Sequence, residues 1–319
     1  MNKAFKTFLA AALVAVSAAA VLSCEKPDIP QPKPIDVPEP EPEPDPGDSD
    51  SVTEPAACSN RVVAHRGGAR ESGNPDNSRA GLKYTMSLKC YAMECDIYWT
   101  KDNNVVIAHA TDTYFINGLK PWEHTLLELR KAGKLKNGED LPTLEEFLDI
   151  VQVKGNCTKL CLDIKNLDGN LTAYPIKAVQ RACEIIKERK AQKFCEFICT
   201  GNETVARSAA SCMVAYGIPV GWMANKGPSS HKAMGFNWAN LSAVSAMKDY
   251  GSGTHTIKEF KDAGMEFSVF NIDNSSGDGN AVYSADAVNY YISNYDQLRF
   301  ICTNFPNWML NRLKQANKI

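Results

Sequence analysis

The chain has 319 residues with 35 Lys+Arg against 37 Asp+Glu, a net charge of −2. Ten of the acidic and two of the basic residues fall in residues 25–57, and two further lysines near the N-terminus, so residues 58–319 keep 31 basic and 27 acidic side chains, a net of +4. That mild excess suits an anionic small substrate and argues against the dense basic face of a nucleic-acid binder.

Residues 1–24 open with Lys3 and Lys6, continue as a run rich in Ala, Val and Leu, and end at Ser23-Cys24. A short basic end, an apolar core and a small residue before the cut describe a secretory signal peptide. The terminal cysteine resembles the lipobox of bacterial lipoproteins. It implies lipidation of Cys24 and anchorage to a membrane by acyl chains rather than by a spanning helix. The expected location is therefore outside the cytoplasm, periplasmic or at the cell surface, with the outer membrane as first choice. Residues 25–57, with Pro38-Glu39-Pro40-Glu41-Pro42, have little to bury and read as a disordered, extended spacer. Residues 58–319 carry no second linker and fit one domain of the usual size of a (β/α)8 barrel.

Along that domain short apolar runs alternate with helical patterns, as in βαβ units. Strands are expected at Arg61–Ala64, Tyr91–Tyr98, Leu160–Ile164, Phe194–Cys199, Val220–Met223, Leu241–Ala246, Glu266–Asn271 and Arg299–Thr303, with an extra short one at Val105–Ala108. Helices are expected at Ser78–Leu88 under a Ser78 cap, at Thr143–Val151 with the capping box Thr143/Glu146, at Tyr174–Arg189, from about Glu203, at Thr256–Ala263 and at Ala285–Ser293. Residues 110–140 read as polar and irregular. Eight strands separated mostly by helices make an α/β fold, with a closed TIM barrel the simplest answer. An open doubly wound sheet is the alternative. The ten cysteines beyond Cys24 sit mostly in apolar runs, as small buried hydrophobes, although export makes disulfides possible.

Active sites of such barrels lie at the C-terminal ends of the strands, and there the chemically suggestive residues collect. Glu94 and Asp96 are two apart on a strand and share a face. With Asp163 one strand over they form an oxygen-rich set suited to Ca²⁺ or Mg²⁺. Lys165 shares the face of Asp163, to neutralise the carboxylates or bind a phosphate oxygen. His65 closes the first strand beside Arg66, a residue suited to bidentate phosphate binding. His109 follows Val106-Ile107-Ala108, and two imidazoles flanking one phosphorus can share base and acid roles. Asn271 is a possible substrate contact. His124, His231 and His255 have no charged partner pattern and read as bystanders.

These segments together resemble the glycerophosphodiester phosphodiesterase family. The matching pieces are His65-Arg66-Gly67-Gly68, Asn74-Pro75-Asp76-Asn77-Ser78, Glu94-Cys95-Asp96, Val105-Val106-Ile107-Ala108-His109, Leu141-Pro142-Thr143-Leu144-Glu145-Glu146, Leu162-Asp163-Ile164-Lys165 and Cys302-Thr303-Asn304-Phe305-Pro306. Their order over about residues 60–310 makes the likeness specific, while each alone is weak. The resemblance implies a TIM barrel with a small insertion after strand two at about residues 110–140, a divalent metal on Glu94, Asp96 and Asp163, acid and base roles for His65 and His109, and Arg66 and Lys165 on the non-bridging oxygens. It also implies attack by a glycerol hydroxyl of the substrate itself, then hydrolysis of the cyclic phosphate to glycerol 3-phosphate. Four positions depart from the family pattern: Asp163 for glutamate, Ala110 for aspartate, Asn304 for aspartate, and Phe270-Asn271 without the usual Trp-Thr. They leave two other readings open: a silent barrel that binds sugar phosphates or polymers at the cell surface, and a phospholipase-like phosphodiesterase. The alcohol head group, the choice of cation and the oligomeric state have no readable code.

Overall fold

A computed structural model describes residues 52–109, 118–167, 171–251, 253–277 and 279–319. The signal segment, Cys24, most of the spacer and Ala110 lie outside the described residues. The elements in chain order are β1 (Val62–His65), α1 (Ala69–Ser72), α2 (Arg79–Ser87), β2 (Ala92–Trp99), β3 (Val105–Ile107), α3 (Leu126–Ala132), α4 (Leu144–Val151), β4 (Lys159–Ile164), α5 (Ala173–Glu188), β5 (Cys195–Cys199), α6 (Glu203–Tyr216), β6 (Val220–Trp222), α7 (Pro228–Ala233), β7 (Trp238–Ser242), α8 (Ile257–Asp262), β8 (Glu266–Phe270), α9 (Ala285–Ser293), β9 (Ile301–Thr303) and α10 (Pro306–Gln315).

Eight strands pair in parallel in the order β1-β9-β8-β7-β6-β5-β4-β2, and β1 pairs again with β2, which closes the sheet into a (β/α)8 barrel. The open-sheet alternative is thereby excluded. β3 stands outside the ring, antiparallel to the upper half of β2 through Ile97↔Ile107 and Trp99↔Val105. Residues alternate between the two faces of each strand. Val63, Ala92, Cys161, Ile198, Trp238, Phe300 and Cys302 fill the barrel interior. The outward set, Met93, Cys95, Ile97, Leu160, Leu162 and Ile164, packs beneath α4, α5 and α6 with Phe147, Val151, Val179 and Ile186.

Large and small residues interlock inside the ring. The Trp238 indole lies so close to Gly221 that a Cβ there would stand 2.7 Å from the ring. The opposite end from the site is closed by charge. Buried Glu196 on β5 takes a 2.6 Å contact from Arg299 and a hydrogen bond from the Tyr91 hydroxyl, and the Arg299 guanidinium lies 4.2 Å from the Trp238 ring centroid.

The expected caps are present: Ser78 accepts from the Gly81 amide, and Thr143 with Glu146 forms a reciprocal capping box. Other expectations are corrected. The stretch read as irregular contains α3, started by the capping box Thr125/Glu128. α1, α7 and α10 lie where the sequence reading places no helix; α7 and α10 begin with proline at their first positions, a helix-start signal of short reach. The seventh strand runs Trp238–Ser242, three residues ahead of the expected Leu241–Ala246. The apolar residues Ala243 and Ala246 belong to a turn, with Ala246 N–H donating to Ser242 O.

The last spacer residues also lie against the barrel. Val52 N–H donates to Gln152 O, Ala56 N–H to Asn156 O, and Gln152 Nε2 donates back to Val52 O. The folded unit therefore begins ahead of residue 58. Among the described residues no helix is long and apolar enough to cross a membrane.

Candidate active site

The C-terminal mouth of the barrel holds a cavity of about 360 Å³ lined by His65, Arg66, Glu94, His109, Asp163, Lys165 and Asn271 among others. Ile198, Met223, Phe270 and Phe300 give it an apolar floor and wall. Sheet register builds it. His65 on β1 is level with Glu94 on β2, and Asp96 is level with Asp163 on β4. Because β2 points every second side chain inward, Glu94 and Asp96 both face this space.

The turn after β1 needs its glycines. Arg66, Gly67 and Gly68 all take positive φ, at 49, 85 and 65°. A Cβ on Gly67 would sit 2.9 Å from the Gly81 backbone, and one on Gly68 2.7 Å from the Pro306 ring. That tight turn aims Arg66 back over the carboxylates. Its amide donates to Glu94 Oε2 at 3.1 Å, and its Nε lies 3.2 Å from Asp96 Oδ2. The Arg66 cation, expected on phosphate, thus rests on acidic partners here, and Lys165, expected to neutralise the carboxylates or to bind a phosphate oxygen, lies on the carboxylates. Lys165 Nζ is 2.5 Å from Asp96 Oδ1 and also bonds Asp163.

Glu94, Asp96 and Asp163 are all buried and each brings one oxygen within 4.8 Å of the other two. Burial and the neighbouring Asp96 push the Glu94 carboxyl well up. Burial also raises Asp163, against the pull of Lys165. Burial works against Asp96 too, but Lys165 and Arg66 outweigh it and hold that carboxyl well below the usual range. Glu94 Oε1 and Asp163 Oδ1 are buried without a hydrogen-bond partner. Buried carboxylate oxygens left this way are costly unless a cation meets them, and an all-oxygen donor set matches a hard divalent ion. The residues therefore fit a divalent metal.

His65 Nδ1 stands 2.7 Å from Asn304 Oδ1, and its Nε2 lies 3.7 Å from Glu94 Oε2. Asn271 is buried, with its side-chain nitrogen 3.5 Å from His65 Nδ1. His109 follows β3 and lines the same cavity. All of the residues singled out in the sequence, Cys24 apart, thus meet at one mouth. Of the bystanders, His231 is buried against Trp222 and Phe260 and bonds backbone carbonyls, while His255 bonds Glu259.

Sequence reasoning missed three contributors. Asn77 clamps Asp96 from both sides: its Nδ2 donates to Asp96 Oδ2 at 2.8 Å and its Oδ1 accepts the Asp96 amide at 3.2 Å. Its signal was present, since it lies in the Asn74–Ser78 piece of the resemblance. Asn240 reaches the cavity from β7, and nothing in its sequence context marked it. Asp273 lies behind Asn304 and takes hydrogen bonds from that residue and from Thr303. Burial pushes its carboxyl up, against those bonds. A second groove of about 540 Å³ adjoins His65, Arg66 and Asn304 and is lined by Arg70, Asn74, Asp76 and Lys136.

Comparison with known proteins gives a consistent result. The sequence model of the glycerophosphoryl diester phosphodiesterase family matches residues 65–290. A glycerophosphodiester phosphodiesterase of Caldanaerobacter subterraneus subsp. tengcongensis is 33% identical over 100 residues, 28% of this chain and 40% of that protein. The match thus spans well under two thirds of that relative's length. A crystal structure of a glycerophosphodiester phosphodiesterase from Parabacteroides distasonis superposes with a TM-score of 0.65 at 23% identity, over 82% of this chain and 100% of the other. A phosphodiesterase from Oleispira antarctica, solved with the product sn-glycerol-3-phosphate, gives 0.58 at 17% identity, over 80% and 96%. At these identities the structural likenesses speak for the fold.

Proposed function

The chain belongs to the glycerophosphoryl diester phosphodiesterase family, and on that premise we propose that it hydrolyses glycerophosphodiesters to glycerol 3-phosphate and an alcohol. The observation that carries the reading is the meeting of three buried carboxylates, two imidazoles and two cationic side chains around one cavity at the barrel's C-terminal mouth. Glu94, Asp96 and Asp163 are the residues that would hold a divalent cation, Ca²⁺ or Mg²⁺. Its chemistry there is to offset the negative charge that grows on the phosphoryl oxygens.

His65, with Nδ1–H turned to Asn304, presents the Nε2 lone pair to the cavity and acts as the base. It takes the proton of a glycerol hydroxyl, whose oxygen attacks phosphorus. The bond from phosphorus to the alcohol breaks, and His109 gives its proton to that departing oxygen. In the second step His109 takes a proton from water, the water oxygen opens the cyclic phosphate, and His65 returns its proton to the glycerol oxygen. Arg66 and Lys165 shift part of their contact from Asp96 and Asp163 to the non-bridging oxygens. Electrostatic stabilisation of this kind is commonly the largest catalytic contribution. Asn271 lines the glycerol side.

The test is release of glycerol phosphate from glycerophosphocholine, glycerophosphoethanolamine and glycerophosphoinositol. Turnover of at least one, lowered about 10³-fold in His65→Ala, is the expected result. A folded protein inert on all three would favour the silent binding barrel. The N-terminal sequence further supports a lipid on Cys24 that anchors the exported protein to a membrane. Intact mass of the full-length protein should show the added acyl chains, and Cys24→Ser should lack them; an unlipidated wild type would remove the anchor.

A further inference from the structure

Asp273 is fully buried on the loop after β8 and does not line the cavity. Its backbone is pinned, with its amide donating to Val282 O at 2.8 Å and Ile272 N–H donating to Cys302 O at 3.0 Å. Its carboxyl accepts three hydrogen bonds. Asn304 N–H reaches Oδ1 at 2.9 Å, the Thr303 hydroxyl reaches Oδ1 at 3.1 Å, and Asn304 Nδ2 reaches Oδ2 at 2.6 Å. Thr303 Oγ1 accepts the Phe305 amide at 3.0 Å, so its own hydrogen is committed to Asp273.

The consequence passes outward. A carboxylate only accepts, so the Asn304 amide must turn its NH₂ inward to Asp273 and its oxygen outward. That oxygen stands 2.7 Å from His65 Nδ1. Two lone pairs at that distance repel, and this contact outweighs the Asn271 side-chain nitrogen, which is farther from Nδ1 at 3.5 Å, so Nδ1 carries the hydrogen and Nε2 carries the lone pair. Nε2 is 3.7 Å from Glu94 Oε2, beyond hydrogen-bond reach, and faces the cavity.

We infer that Asp273 is a positioning residue that works through Asn304 to fix the tautomer and the orientation of the His65 imidazole. The inference rests on the phosphodiesterase reading for its catalytic consequence, while the tautomer it assigns stands by itself. An outer partner that sets a histidine tautomer is worth about 10–100-fold when removed. With Asp273→Asn, the partner offers both an acceptor and a donor. The Asn304 amide is then free to flip, and His65 loses its preference for Nδ1–H. In the exchanged pair Asp273→Asn/Asn304→Asp, the amide introduced at position 273 donates to the carboxylate introduced at position 304, which again accepts from His65 Nδ1. The exchange restores the relay with its polarity kept at the histidine.

The experiment uses the full-length protein in detergent: wild type, Asp273→Asn and the double exchange. Glycerophosphocholine turnover is measured beside ¹⁵N NMR of the His65 ring. The expected result is an Nδ1-protonated His65 in wild type, a mixed tautomer and a kcat lower by about 10–100-fold in Asp273→Asn with KM within about threefold, and recovery of both in the double exchange. A wild-type kcat in Asp273→Asn, or a folded double exchange no faster than Asp273→Asn, overturns the inference. If Asp273→Asn does not fold, the double exchange decides alone: turnover within about tenfold of wild type supports the relay, and a folded but inactive double exchange overturns it. No wild-type turnover of glycerophosphocholine, glycerophosphoethanolamine or glycerophosphoinositol sinks the phosphodiesterase reading, and the ring spectrum then decides the relay, an Nε2-protonated His65 in wild type overturning it.

Discussion

Burial, helped by the adjacent Arg66 guanidinium, pushes the His65 imidazole down from 6.5 to about 3. This keeps it neutral, and so able to accept a proton, at neutral pH. It also links the site to stability. The unfolded chain protonates this histidine near 6.5 and the folded chain only near 3, so the unfolded state binds more protons between those values. The associated stability is complete above the unfolded value and is lost as pH falls toward the folded one, at up to about 1.4 kcal/mol per pH unit. In EDTA, thermal unfolding of His65→Gln should therefore decline less steeply over this window than that of wild type. Equal slopes would mean that the folded protein does not hold His65 depressed. At this scale the sequence was informative where a strand's alternation fixed direction. Glu94 and Asp96 had to share a face, and Asp163 and Lys165 likewise, so their meeting followed once the strands were placed. What alternation does not convey is which cation rests on which acid. Arg66 on Asp96 and Lys165 between Asp96 and Asp163 depend on a turn and on cross-strand register. The Asp273–Asn304–His65 chain joins three strand ends that are far apart in sequence, and no local spacing encodes it.

The turn that follows β1 is the element on which most of the site hangs. Gly67, at φ 85° and packed on the Gly81 backbone, allows Arg66 to return over the acids and lets α2 approach. Gly67→Ala meets both the left-handed conformation and a 2.9 Å backbone contact. It should cost about 2 kcal/mol of stability and lower turnover by moving His65 and Arg66 together. Denaturant unfolding and the glycerol phosphate assay check the two effects; unchanged values in both would show that the turn is not constrained as described. Long periodic elements such as α5, and capped ones such as α2 and α4, were legible in the sequence because each carries its own period or its own start signal. The shorter α7 was not, and α3 was missed although its Thr125/Glu128 capping box is a start signal of the same kind as that of α4. Elements of only one or two turns give too little periodicity to read, and their placement is decided by tertiary packing rather than by propensity. The shift of β7 has the same origin. Ala243-Val244-Ser245-Ala246 is apolar enough for a strand, yet Trp238 fills the barrel and Asn240 reaches the cavity from positions further back.

At the scale of the molecule, ring closure is what makes one site out of many segments. β1 pairs with β9 on one side and with β2 on the other, so His65 from the start of the domain lies beside Asn304 from its end and Glu94 from the next strand. The eight strands and the helices between them were legible from the alternation of signals and made a closed barrel the simplest answer, while excluding an open sheet took the pairing of β1 with both β9 and β2, since both folds give the same local pattern. The spacer's boundary was blurred for a related reason: composition turns at residue 58, but Val52 and Ala56 are held by hydrogen bonds to the barrel that composition does not register. The central claim is that Glu94, Asp96 and Asp163 hold a divalent cation on which turnover depends. The measurement that addresses it most directly is glycerol phosphate release by the EDTA-treated protein on titration with Ca²⁺ or Mg²⁺, beside Glu94→Ala. The account predicts no release in EDTA, saturable recovery with one of the two cations, and a recovery in Glu94→Ala that is absent or shifted to much higher cation concentration. Full activity in EDTA, or a Glu94→Ala protein that responds to the cation as the wild type does, would contradict it.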